Sequence, residues 1–279
     1  MSPRLIETVA ALRAEVAAYR ASGEKVALVP TMGALHEGHI ALVNQARTLA
    51  RRVIVSIFVN PTQFAPNEDF SRYPRTLEAD TAKLKEAGAD LIYLPDAREM
   101  YPDGFSTAIT LSGPALGLET DFRPHFFSGV AIVVAKLFLQ SGADFAVFGE
   151  KDYQQLKVVT RMADDLNIPI TVVPGPTVRE ADGLALSSRN RYLSAQERAT
   201  APVISRSLTT AAEAIRAGMP AAEAVQQARD AITAAGLRVD YVEARHAESL
   251  APLSGAPEPI RLLAAAWLGT TRLIDNMGV

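Results

Sequence analysis

Two of the chain's four histidines, His36 and His39, lie three residues apart in Pro30-Thr31-Met32-Gly33-Ala34-Leu35-His36-Glu37-Gly38-His39. Side chains at i and i+3 share one side of a helix start. A strand that ends in a glycine turn and feeds a helix offers N–H groups and a positive dipole end to an anion. Two imidazoles there can donate hydrogen bonds to phosphate oxygens, and Gly38 between them leaves room for a flat ligand. A metal site is disfavoured, because zinc-protease spacing is four, a third ligand is required, and there is no cysteine. Standing alone, the pair would be as well explained by capping or solvated histidines. Neither G-x-x-x-x-G-K-[ST] nor G-x-G-x-x-G occurs, so a bound nucleotide needs another device.

Further polar clusters could complete it. Lys151, in Gly149-Glu150-Lys151-Asp152, directly follows a hydrophobic run; an arbitrary loop lysine would simply be solvated. Ser187-Ser188-Arg189-Asn190, preceded by Asp182-Gly183, is by itself a turn, but two hydroxyls and a guanidinium facing the histidines could clamp a polyphosphate. Gln63 and Gln155 are neutral amides suited to a hydroxyl or carboxylate of a second substrate, although isolated glutamines are mostly exposed.

The elements that must position these residues alternate in kind. Leu5, Val9, Leu12, Val16 and Tyr19 read as one helix face stopped by Gly23, and Lys25–Val29 as a buried strand ended by Pro30. Then come a helix through Ile40, Val43, Ala46 and Ala50, strand Val53–Val59, helix Leu77–Ala87 and strand Leu91–Leu94. Helix Val130–Gln140, strand Phe145–Phe148, helix Tyr153–Leu166 and strand Ile168–Val173 follow. Such alternation predicts an α/β domain over residues 1–176, a parallel sheet with helices on both faces. Ligands of such sheets bind outside the carboxyl ends of the strands, where the segments after the strands should converge. Beyond Pro174-Gly175-Pro176 the texture changes. The capping box Ser194–Glu197, Ala-rich helices to about Gly236 and strands Val239–Ala244, Ile260–Trp267 and Arg272–Ile274 predict a smaller α+β domain over 177–279.

Composition narrows the function classes. The chain of 279 residues is 48% hydrophobic and 21% charged, with 17 Gly and 17 Pro, which is ordinary for a globular protein. The net charge of −3 and scattered Lys and Arg predict no nucleic-acid partner. Apolar runs such as Ala131–Ala135 and Leu262–Leu268 are far short of the roughly 20 residues that span a bilayer. No secretory apolar region precedes Arg13 and Glu15, so a cytoplasmic protein without membrane partners is expected.

Taken together, these segments resemble the pantoate–β-alanine ligase family of HIGH-motif nucleotidyltransferases. The likeness is carried by Pro30–His39, Phe58-Val59-Asn60-Pro61-Thr62-Gln63-Phe64, Asn67-Glu68-Asp69-Phe70, Tyr73-Pro74-Arg75-Thr76, Phe148–Gln155, Asp182–Leu193 and Arg272-Leu273-Ile274-Asp275-Asn276, in order along the whole chain. It implies a Rossmann-like N-terminal domain, a C-terminal lid domain, a homodimer, and small-molecule substrates: ATP, (R)-pantoate and β-alanine, giving pantothenate, AMP and pyrophosphate through an acyl adenylate. It implies that Met32, Gly33, Ala34, Leu35, His36, Glu37, Gly38, His39, Gly149, Glu150, Lys151, Asp152, Val178, Leu186, Ser187, Ser188 and Arg189 form the ATP site. Within that set His36, His39, Lys151, Ser187, Ser188 and Arg189 would contact phosphates and His39 would be the proton donor. Gln63 and Gln155 would hold pantoate, with Gln63 also near β-alanine. Mg2+ would sit mainly on the ATP phosphates, with no protein ligand assigned. Three positions depart from the family pattern: Leu186 stands for Met, Ala65 for Gly, and in Arg123-Pro124-His125-Phe126-Phe127-Ser128-Gly129-Val130 Phe126 stands for His. The competing readings are an adenylyl- or cytidylyltransferase of the same superfamily with a phosphorylated acceptor, whose site should be rich in Arg or Lys, and a nucleotide-binding module without catalysis.

Overall fold

The strands of the larger sheet are apolar on both faces: Val26, Ala27, Leu28 and Val29 are all fully buried, as in a parallel strand covered on two sides. The computed structural model describes residues 2–64 and 69–279. Its first elements are β1 (Arg4–Ile6), α1 (Val9–Ala21), β2 (Val26–Thr31), α2 (Glu37–Leu49), β3 (Arg52–Ile57), α3 (Leu77–Ala87), β4 (Leu91–Tyr93) and α4 (Ala97–Met100). Then follow α5 (Glu119–Phe122), α6 (Phe126–Ser141), β5 (Phe145–Gly149), α7 (Tyr153–Asp165) and β6 (Thr171–Gly175). The remainder is α8 (Ala195–Thr200), α9 (Val203–Arg216), α10 (Ala221–Ala234), β7 (Arg238–His246), β8 (Ile260–Leu268) and β9 (Thr271–Gly278).

Six parallel strands lie in the order β1-β4-β3-β2-β5-β6. The order reverses between β2 and β5, the switch point at which open α/β sheets bind ligands. Two expected elements shift. Leu5 belongs to β1, paired with β4, and not to the first helix, which starts at Val9 behind the Thr8 cap. Apolar spacing ran across the strand and the helix alike, because spacing carries no information about a cap. The last strand, read as Ile168–Val173, runs Thr171–Gly175, with Pro174 opposite Phe148. Being an edge strand, β6 tolerates a residue without an N–H.

The described residues form two compact units: Met1–Leu111, Arg123–Glu150 and Val158–Pro176 in one, Ser112–Phe122, Lys151–Lys157 and Thr177–Val279 in the other. The second is built on an antiparallel sheet β7-β8-β9. Ile204 and Leu208 of α9 and Ile232 of α10 share a core with Leu262, Ala264 and Ala266 of β8. Two short segments from earlier in the chain join it for evident reasons. Glu119 pairs with Arg272 at 2.7 Å, and the Tyr153 hydroxyl donates to the Ala247 carbonyl at 2.9 Å. Lys151 and Gln155, which precede residue 176 in the chain, therefore pack with the second unit. Among the described residues no helix is long and apolar enough to cross a membrane.

Candidate functional site

After β2 the backbone turns tightly, with Gly33 and Ala34 both left-handed at φ 82° and 51°. Glycine adopts that conformation freely, whereas alanine gives up about 1–2 kcal/mol. The turn is held from α3. Asp80 is 1% exposed, and its Oδ2 and Oδ1 accept the N–H groups of Ala34 and Leu35 at 2.9 and 2.8 Å. Lys83, one turn further along α3, donates Nζ to the Leu35 carbonyl at 2.6 Å. The Gly33 N–H donates to Thr31 Oγ1 at 3.2 Å.

The two histidines close the start of α2 on each other. His36 is the N-cap, its Nδ1 accepting the Gly38 N–H at 3.2 Å; His39 Nδ1 accepts the His36 N–H at 3.3 Å, and the rings lie 4.1 Å apart. A ring nitrogen that accepts carries no hydrogen, so in both neutral imidazoles the hydrogen is on Nε2. The two nitrogens of each ring thus differ: Nδ1 builds the helix start, and in the neutral ring Nε2 carries the hydrogen. The backbone N–H groups of Gly33, Ala34, Leu35, His36 and Gly38 are engaged within the protein, so what this segment can offer an anion narrows to the rings and the helix end.

Gln63 sits in the same unit and touches this segment. Its Nε2 donates to Met32 Sδ at 3.0 Å, while its Oε1 accepts from Asn60 Nδ2 at 3.1 Å. Asn60 is 1% exposed, and its Oδ1 accepts from Tyr101 Oη at 2.8 Å and Thr62 Oγ1 at 3.0 Å. Burial pushes the Tyr101 phenol above its ordinary pKa, which keeps it a donor. Asn60 Nδ2 also donates to the Gly129 carbonyl at 3.0 Å. A Cβ at Gly129 would lie 2.3 Å from the Thr62 carbonyl oxygen, so only glycine lets α6 approach this loop. Phe126 lies against the Arg123 guanidinium, 3.9 Å from ring centroid to Cζ, and Arg123 Nη2 donates to the Gln63 carbonyl at 3.0 Å. A phenyl ring exchanges no proton, so no acid–base role falls here. Ala65, and with it Asn67-Glu68, lies outside the described residues.

Gly149, which ends β5, and Glu150 belong to the first unit, while the second holds Lys151, Asp152, Gln155, Val178 and Leu186–Arg189. Lys151 Nζ is 3.8 Å from Asp152 Oδ2, and Gln155 is half-buried at the start of α7. Val178 and Leu186 are joined by the Leu186 N–H to the Val178 carbonyl, 3.0 Å, at the mouth of a hairpin. Ser187 follows, its Oγ accepting the Arg189 N–H at 3.3 Å and capping the turn Ser188–Tyr192.

Sequence reasoning passed over the residues that hold these groups, Asp80, Lys83, Tyr101 and Arg123 among them. Asp80 did leave a signal. It falls in helical register with Leu84 and Ala87, both buried, and a carboxylate on the apolar stripe of a helix must have partners.

The chain is similar to known proteins along nearly its whole length. The family model described as pantoate-beta-alanine ligase matches residues 4–278. A pantothenate synthetase of Bradyrhizobium sp. (strain BTAi1 / ATCC BAA-1182) is 58% identical over 280 residues, covering 100% of this chain and 99% of the relative. The crystal structure of pantothenate synthetase from Thermus thermophilus superposes with a TM-score of 0.92 at 50% identity, over 98% of each chain. A pantoate-beta-alanine ligase from Francisella tularensis, solved in complex with beta-gamma ATP and beta-alanine, gives 0.82 at 32% identity over 99% of this chain and 97% of its own.

Proposed function

The chain belongs to the pantoate–β-alanine ligase family, and from that membership we propose that it condenses (R)-pantoate with β-alanine at the expense of ATP. A pantoate carboxylate oxygen attacks the α-phosphorus, the bond to the bridging oxygen breaks, and pyrophosphate leaves with the electron pair. The β-alanine amine then attacks the acyl carbon of the pantoyl adenylate; the C–O bond breaks, AMP leaves, and the amine loses a proton to give pantothenate. Little covalent work falls to the protein, so positioning and stabilisation of phosphoryl charge dominate.

The observation that carries this reading is the tautomer of the two histidines. With Nδ1 of both rings accepting backbone N–H groups, each neutral ring is an Nε2–H donor at the carboxyl end of β2. We assign His36, His39, Lys151, Ser187, Ser188 and Arg189 to the ATP phosphates, with His39 as the proton donor. Met32–His39, Gly149–Asp152, Val178 and Leu186 line the nucleotide, and Gln63 and Gln155 hold pantoate. The Asn60 hydrogen bond fixes the Gln63 amide with Nε2 as the outward donor, which suits a carboxylate or hydroxyl oxygen; Gln63 also serves β-alanine. A transferase acting on a phosphorylated acceptor is not favoured, because neutral amides are a poor match for a second phosphate.

Among the described residues no three His, Asp or Glu side chains gather as a metal site. Mg2+ is assigned to the ATP phosphates, where it would neutralise charge on the departing pyrophosphate. The second unit is proposed as the lid and the cytoplasm as the compartment. The assembly is proposed as a homodimer, which light scattering would register as twice the 29.9 kDa chain.

The test supplies ATP, pantoate and β-alanine and measures AMP and pantothenate. Turnover is expected; no pantothenate alongside transfer of a nucleotide to a phosphorylated acceptor would overturn the reading. His39→Ala and Lys151→Ala should each slow adenylate formation by at least about tenfold. Wild-type single-turnover adenylation in both variants would remove those roles.

A further inference from the structure

Strand β9 carries two adjacent polar residues in a buried setting, Asp275 and Asn276, at 5% and 3% exposure. Neighbouring strand residues point to opposite faces, and here each face meets a different loop of the same unit. On the face that sends Leu273 into the helix-side core, Asp275 grips Arg179: Nη1 donates to Oδ2 at 2.7 Å and Nη2 to Oδ1 at 2.8 Å. Arg179 Nη1 also donates to the Gly183 carbonyl at 2.9 Å. That contact ties off the hairpin whose end leads directly into Ser187–Arg189. On the other face, Asn276 Nδ2 donates to the Lys151 carbonyl at 2.9 Å, while its Oδ1 accepts from Arg261 Nε at 2.8 Å. The amide therefore has one orientation only, since a flip would set donor against donor and acceptor against acceptor. Arg261 in turn lies over the ring of Tyr153, Cζ 3.9 Å from its centroid, two residues beyond Lys151.

Resting on the reading that Lys151 and Ser187–Arg189 take ATP phosphates, we propose that Asp275 and Asn276 are a two-sided positioning pair that sets these two phosphate-binding elements against each other. Neither residue touches substrate. Their work is geometric: one dipeptide of a hydrogen-bonded strand holds a loop on each side. A clamp of this kind depends on spacing, because a misplacement of about 1 Å can cost about a hundredfold in rate.

Two near-isosteric variants separate the faces. Asn276→Asp keeps the acceptor for Arg261 and removes the donor to Lys151; Asp275→Asn keeps the shape and removes half of the Arg179 grip. In nucleotide-free protein, hydrogen exchange should rise by about tenfold in segment 149–156 alone for Asn276→Asp, and in 178–190 alone for Asp275→Asn, as expected for one lost hydrogen bond each. In turnover, both should raise the KM for ATP by about tenfold while leaving that for β-alanine within about twofold. Exchange that rises alike in both segments, or ATP and β-alanine constants that move together or not at all, would overturn the proposal in favour of a merely structural pair. Should Asp275→Asn fail to fold, Asn276→Asp decides alone, since it keeps every ion pair. Absence of wild-type turnover would remove the substrate reading instead, and the split in exchange would still judge the pair.

Discussion

The turn that bears the histidines and the hairpin that leads to Ser187–Arg189 are each held by a buried carboxylate, yet the two carboxylates face different kinds of partner. Asp80 accepts two backbone N–H groups, those of Ala34 and Leu35. Asp275 faces mainly a side chain, the Arg179 guanidinium, and accepts a single backbone N–H, that of Asn276, at 2.7 Å. Backbone donors are present whatever the sequence, so the N–H groups opposite Asp80 remain to be satisfied after any substitution there. The guanidinium opposite Asp275 can be removed together with its partner. The first carboxylate should accordingly be irreplaceable, and the second replaceable for stability though not for placement.

The largest effect expected from this contrast is that of Arg179→Ala. It strands Asp275 in the interior, and breaking a buried pair from one side costs about 3–5 kcal/mol. Because the Arg179 side chain is 24% exposed, the lower end, about 3 kcal/mol, is expected in urea unfolding. The double replacement Arg179→Met with Asp275→Leu should recover most of that loss, since apolar residues of similar volume often replace a buried pair without cost. It should not recover the KM for ATP. A double variant as unstable as the single one would erase the distinction between the two carboxylates.

Next in size is Asp80→Asn. The amide NH2 that replaces one carboxylate oxygen sets a donor against one of the two N–H groups, and an orphaned buried donor costs about 1–3 kcal/mol. The strained backbone of Ala34 then relaxes, and kcat/KM for ATP should fall by at least about tenfold as the rings lose their placement. Wild-type stability and kinetics in this variant would mean that the turn holds itself, without α3.

How much of this was legible beforehand depended on the kind of signal. The helix Leu77–Ala87 could be read to the residue, because its apolar spacing and the Gly88 stop coincide with the αL cap at φ 75°. Strand alternation gave the parallel sheet, and the capping box at Ser194–Glu197 gave the start of α8. Strand β1 was not legible: three residues, mostly exposed, joined to a helix by a compatible spacing. Among the site residues, His36 and His39 stood out by type and spacing, but their division of labour between Nδ1 and Nε2 needed the backbone geometry of α2. Asp80, Asp275 and Asn276 act through partners 45, 96 and 125 residues away along the chain. No local pattern encodes such pairings; the sequence shows only a polar residue where an apolar one would be expected.

The smallest effect probes a third carboxylate, Asp182, which is exposed and whose charged partner is not buried. On the same hairpin, Arg198 donates Nη1 to Asp182 Oδ2 at 2.6 Å and Nη2 to Glu180 Oε2 at 2.9 Å. Arg198 holds the Asp182 carboxyl below its ordinary range, partly opposed by desolvation and aided by the Leu184 N–H. A carboxyl whose folded pKa is depressed contributes stability above its unfolded value, roughly 3.9, and loses it as pH falls through the folded value. With Asp182 42% exposed and Arg198 30%, solvent and salt screen the pair, and only a few tenths of a kcal/mol are expected. Asp182→Asn should therefore destabilise slightly at about pH 6 and less at about pH 2, because the stabilisation fades as the carboxyl is protonated, with the difference shrinking in high salt. An equal loss at both pH values would show that the hairpin depends on the shape of Asp182 and not on its charge.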